Sequence, residues 1–305
     1  MQEIPWLSLA LPLSGVALAC LALLLPPRWR LLGSPLGAPL VEPGRACIFL
    51  LLFTAMALLS GRGDPEVEWT IRHVALDFGG TAGLLVVALL PAARDGGQGW
   101  RRAGLGPLPL AAVPWLLVLM ASVAVFRIIL LTYVPCNCPS VAPANLGWAR
   151  AIASAAFTGI LVPLAEEVLY RGIMLPLTAA RAGRWGGILL TAASWAMAHG
   201  QAPLLPFIAL GTALAWLTLT TGSLWGAIVF HVAWNGTVVA YEIYDQVVGA
   251  PFAIVPPPVI FLAVVALLLA WGGMLDAARA EGIRISLRKE GAESGEGSRS
   301  EGETQ

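Results

Sequence analysis

Residues 151–172 read Ala151-Ile-Ala-Ser-Ala-Ala-Phe-Thr-Gly-Ile-Leu-Val162-Pro-Leu-Ala-Glu166-Glu167-Val-Leu-Tyr170-Arg171-Gly172. The run opens as an apolar stretch of the kind that crosses a bilayer, then places two carboxylates and a guanidinium inside it. An ionised group within a membrane span is costly, so groups of this kind are functional candidates by default. Glu167 and Arg171 are four apart, on one helical face and in the favourable acid-first order, so they can neutralise each other. Glu166 is rotated from that face by about 100° and lacks the partner. An acid without a counter-charge in apolar surroundings is suited to general acid or base work.

Around this stretch, the 305-residue chain is 58% hydrophobic and 12% charged, with a mean hydropathy of +0.78. Soluble domains carry roughly 25% charged residues. A water-soluble globule is therefore excluded, and the expected fold is an all-α, polytopic integral membrane bundle of eight to nine transmembrane helices. Apolar runs fall near 5–25, 46–60, 71–91, 109–134, 150–170, 186–199, 203–221, 224–241 and 253–273. The first lacks a preceding basic residue and is expected to stay as an anchor rather than be cleaved. Net charge is zero and the body has no long basic run, which argues against nucleic acid as a partner. The lipid bilayer is the expected surrounding.

Thirteen of the eighteen basic residues, from Arg28 to Arg299, fall in one set of alternate connecting segments; Arg62, Arg72 and Arg150 fall in the other. This asymmetry predicts the N-terminus outside and the C-terminus in the cytoplasm. Organisation is expected as N-terminal helices over 1–149, a motif-bearing core over 150–241, an outer loop and last span over 242–281, and a disordered cytoplasmic tail over 282–305. The tail is rich in Gly, Ser, Glu and Arg and has little apolar surface to offset the entropy of ordering. A single lysine among eighteen basic residues, with abundant Ala, Gly and Arg, points to a GC-rich bacterial genome and hence to a bacterial inner (plasma) membrane.

Two of the three histidines, His199 and His231, lie within or at the ends of later spans, and Asn235 shares the helical face of His231. The midpoint between Glu166 and His199 falls at Ala182–Gly183, inside the turn signal Arg181-Ala-Gly-Arg184. A helix hairpin closing there brings both residues to similar depth. Thr221-Gly-Ser223 marks a second turn, from which His231 descends from the same side. Glu166, His199, His231 and Asn235 can therefore face one cavity.

At these positions the chain resembles the CPBP group of intramembrane proteases (CAAX prenyl proteases and bacteriocin-processing enzymes, also called the Abi family). Its pattern is Glu-Glu-x-x-x-Arg, then Phe-x-x-x-His, then His-x-x-x-Asn. Here these read Glu166-Glu167-Val-Leu-Tyr-Arg171, Trp195-Ala-Met-Ala-His199 and His231-Val-Ala-Trp-Asn235. Trp195 replaces the phenylalanine and keeps an aromatic wall. The resemblance covers residues 150 to 241 and implies hydrolysis of a peptide bond in a membrane-anchored protein or peptide. By analogy Glu166, helped by His199, activates water; His231 and Asn235 stabilise the oxyanion; and Glu167 with Arg171 holds the motif helix. A competing version uses Glu166, His199 and His231 as ligands for Zn²⁺, although the chain has no His-Glu-x-x-His helix. The metal-independent, glutamate-dependent route is preferred.

A reading from another class makes the protein a non-catalytic bacteriocin-immunity factor or small-solute permease, with the same polar residues lining a binding site. Each polar residue also has a plainer use as interhelical glue. His73 and Asp77, four apart in the third run, are expected to be such a pair. Arg127 is expected to snorkel to the interface. Cys136 and Cys138 lie on the predicted outer side and are given no catalytic part, and most of the twelve tryptophans read as interfacial anchors.

Overall fold

The computed structural model describes residues 7–24, 41–59, 78–106, 110–133, 152–153, 155–199, 204–248 and 257–297. His73, Asp77, Cys136 and Cys138 lie outside the described residues. Within them, regular structure is helical throughout: α1 Leu7–Leu24, α2 Pro43–Leu59, α3 Gly80–Arg94, α4 Gly96–Arg102, α5 Val113–Tyr133, α6 Val162–Glu166, α7 Leu175–Ala198, α8 Leu204–Thr221, α9 Trp225–Val248 and α10 Pro257–Gly297. Wider π-helical turns, Phe157–Leu161 and Glu167–Met174, flank α6 and join it to α7 in one continuous arm.

The apolar residues face outward as well as inward. Leu205 is 78% exposed, Phe261 69% and Leu268 67%, while Glu167 and Arg171 are fully buried. Water would penalise that outer surface, and lipid does not. Leu110–Ile129 and Leu204–Thr221, of mean hydropathy 2.2 and 1.7, are long and apolar enough to cross a membrane. Ala10–Leu24, Pro43–Met56, Gly80–Arg94 and Phe261–Ala277 are shorter apolar helices. In α9, His231, Asn235 and Glu242 dilute the hydropathy. Among the described residues the structure is thus all-helical, with an apolar outer surface and two helices long and apolar enough to cross a membrane.

Two of the buried apolar clusters join the N-terminal and C-terminal helices to the motif helices. In one, Val16 and Leu23 of α1 and Leu50 and Phe53 of α2 pack on Val168, Leu169 and Ile173 of the motif arm. In the other, Leu116, Leu119 and Val123 of α5 pack on Ala227 and Phe230 of α9 and on Ala270 and Met274 of α10. The Ser194 hydroxyl donates to the Gly15 carbonyl at 2.8 Å, tying α1 to the second half of α7.

α7 is two helical arms folded about Gly183, whose φ of 76° and ψ of 170° are non-helical. This is the turn expected at Ala182–Gly183. The arms approach so closely that a Cβ on Gly187 would lie 2.6 Å from the Ala179 backbone. The Gly183 conformation belongs almost solely to glycine. Gly183→Ala should therefore lower stability by about 1–3 kcal/mol, read as a fall in the thermal unfolding midpoint in detergent.

The motif helix continues past Arg171 to the turn at Gly183. One expectation needs correction: the backbone of α10 is helical as far as Gly297, through much of the stretch 282–305 expected to be disordered. Composition gauges only what a segment can bury. An apolar helix that is already nucleated can propagate into a polar continuation at one hydrogen bond per added residue.

Candidate active site

The local geometry of the motif arm begins with Pro163, which has no N–H to donate. Immediately before it, the Val162 N–H reaches back five residues to the Phe157 carbonyl. The Thr158 carbonyl is thereby left without a donor from its own helix. Asn235 of α9 supplies one, its Nδ2 donating to Thr158 O at 3.2 Å. A helix weakened by a proline is thus stitched to the helix that carries His231, and π-helical turns of this kind recur at functional sites.

Beyond that stitch the side chains converge. Nε2 of His199 and Nε2 of His231 each stand 3.9 Å from the same Glu166 oxygen, Oε2. The Trp195 indole N–H donates to that oxygen at 2.6 Å. Glu166, His199 and His231 are therefore brought together, and Asn235 sits one turn beyond His231, tied to Thr158. Glu166 lacks the arginine partner that Glu167 has, as the sequence suggested, but it accepts a hydrogen bond that the sequence did not show. The indole donor satisfies it without neutralising it.

Both imidazoles are fixed from behind. The His199 Nδ1–H donates to the Trp195 carbonyl and the His231 Nδ1–H to Glu167 Oε1, each at 2.8 Å. These partners only accept, which assigns the ring proton to Nδ1 and leaves Nε2 of each neutral ring as an acceptor facing Glu166. Arg171 Nη1 donates to the same Glu167 oxygen at 2.9 Å. Glu167 therefore serves two neighbours, Arg171 as expected and His231 in addition. The Arg171 guanidinium also stands 4.7 Å from the Trp195 ring centre, a cation over a π face.

Aromatic rings enclose the group. Trp195 meets His199 edge-on at 4.6 Å and His231 at 5.6 Å, and Phe207 of α8 lies 4.7 Å from His199. The side chains of His231 and Glu166 are 3% and 10% exposed, that of His199 26%, so the group is reached from the His199 side. Phe207 is a contributor that the sequence did not single out, and Trp195, read there as an aromatic wall, adds a hydrogen-bond donor that was not anticipated. An indole at the aromatic position of the second motif was the available signal, because it adds a donor that phenylalanine lacks. For Phe207 no signal was present. Arg127 stacks over Trp234 at 4.3 Å from the ring centre, against α9.

As ligands the three tips fit poorly. With metal bonds of about 2.1 Å, separations of 3.9 Å would open each N–metal–O angle to about 140°, far from tetrahedral. Among the described residues, no group of three His, Cys, Asp or Glu side chains could hold a metal ion.

No curated protein and no solved structure matches the chain. Residues 148–237, which hold Glu166, Glu167, Arg171, Trp195, His199, His231 and Asn235, match the family model described as type II CAAX prenyl endopeptidase Rce1-like.

Proposed function

We propose that the protein is an intramembrane endopeptidase that hydrolyses a peptide bond of a membrane-anchored protein or peptide, with Glu166 as general base. The observation that carries this is the convergence of two imidazole Nε2 atoms on one carboxylate oxygen, each at 3.9 Å. That separation is too long for a direct hydrogen bond and suits a single bridging water. Water held there would give one proton to Glu166 as it attacks the scissile carbonyl, and His199, on the exposed side, orients it.

His231 and Asn235 stabilise the oxyanion. Because Nδ1 of His231 already donates to Glu167, Nε2 can donate only when the ring carries a second proton, so His231 acts in this role as imidazolium. Asn235 keeps a second amide hydrogen beyond the one on Thr158. Glu167 and Arg171 hold the frame and touch no substrate. The motif helices span the bilayer with the basic ends of the bundle in the cytoplasm, as the arginine distribution implies.

The test is cleavage of a fluorescent, membrane-anchored peptide by purified protein in vesicles. Cleavage should persist at an unchanged rate after chelator treatment that removes all measurable metal from the sample. Loss of cleavage restored by added Zn²⁺ would replace the glutamate-only route with a metal-dependent one. A folded protein that binds such peptides and cleaves none would overturn the protease reading itself.

A further inference from the structure

A groove lies on the outer surface of the bundle, between α2 and α3. A lateral cavity of about 250 Å³ is walled there by Ile48, Phe49, Val87 and Leu90, with Arg45 and Arg94 at its mouth. Ile48 is 54% exposed, Val87 47% and Leu90 42%, so the walls open sideways to the surrounding bilayer. Arg45 stands near the start of α2 and Arg94 at the end of α3. The antiparallel helices therefore bring two guanidinium groups to the same end of one groove. Both are exposed, and neither makes an ion pair among the described residues. Of the acids nearby, Asp95 is paired with Arg102, and Glu42 is exposed at the start of α2.

We infer that this groove binds one anionic phospholipid, its phosphate between Arg45 and Arg94 and an acyl chain along Ile48, Phe49, Val87 and Leu90. Guanidinium forks match phosphate oxygens in pairs, and basic pockets between membrane helices suit anionic headgroups. The apolar walls distinguish the site from one for free phosphate, which would fill the mouth and leave the groove bare. The excess of positive charge favours a headgroup without a compensating ammonium. Phe49 and Ala88 belong to the same packed cluster as Val168, Leu169 and Ile173, so a lipid seated here braces the helices that back the motif arm.

The test uses the full chain in detergent, titrated with phosphatidylglycerol or phosphatidylcholine and read by native mass spectrometry. Each arginine near a membrane surface contributes about 1 kcal/mol, so the double variant Arg45→Gln/Arg94→Gln should bind phosphatidylglycerol about 30-fold more weakly. Its phosphatidylcholine binding and thermal midpoint in phosphatidylcholine should match the parent's. Leu90→Trp, which fills the groove and keeps both arginines, should weaken phosphatidylglycerol binding as well. Equal phosphatidylglycerol binding by parent and double variant overturns the proposal, as does an equal loss for both lipids. Displacement of phosphatidylglycerol by millimolar inorganic phosphate would make this a free-anion site and overturn the lipid assignment.

Discussion

Glu166→Gln should lower the single-turnover rate of reporter cleavage in vesicles by about 10²–10⁴-fold, the range that a positioned general base contributes. The substitution is close to isosteric. Its carbonyl can still accept the Trp195 indole N–H. What it loses is the ability to take a proton from water. Glu166 also stands apart from the buried ion pair, so the thermal midpoint should stay near the parent's. A large fall in rate with little change in stability separates a chemical role from a structural one. A variant that cleaves as fast as the parent would place the base elsewhere.

Arg171→Met should produce the largest loss of stability, about 3–5 kcal/mol, the usual consequence of removing one member of a fully buried pair. Arg171 and Glu167 are both fully buried, and Nη1 meets Oε1 at 2.9 Å. Without the guanidinium, Glu167 keeps only the His231 hydrogen bond for a charge sunk among Val168, Leu169 and Tyr170. Glu167→Gln/Arg171→Met removes both charges and should recover most of the loss, because the remaining amide still accepts from His231. Unfolding of Glu167→Gln, Arg171→Met and the double variant in detergent against the parent gives the coupling energy. Equal stabilities for Arg171→Met and the parent would show that the pair does not hold the motif arm.

What the sequence made legible was whatever depended on spacing. Glu166, Glu167 and Arg171 could be sorted by helical angle, and equal arm lengths about Ala182–Gly183 put Glu166 level with His199 before any coordinates. The directions of polar tips were less accessible. Trp195 reads as a hydrophobic wall by composition, yet its N–H settles on Glu166, and His231 turns Nδ1 toward Glu167 while facing Glu166 with Nε2. The π-helical turns were hidden for a related reason. Pro163 announces a missing donor, but that the freed Thr158 carbonyl is met by Asn235 depends on how two distant helices pack. Arg127 illustrates the same limit, since its stacking on Trp234 is a matter of tertiary contact.

The most direct measurement is product mass after cleavage in ¹⁸O-labelled water by parent and Glu166→Gln protein side by side. If Glu166 activates the attacking water, the parent should place one labelled oxygen in each new carboxyl group, and the variant should yield labelled product slower by the factor above. Labelled product formed equally fast by both proteins, or parent product carrying no label, would contradict water attack driven by Glu166.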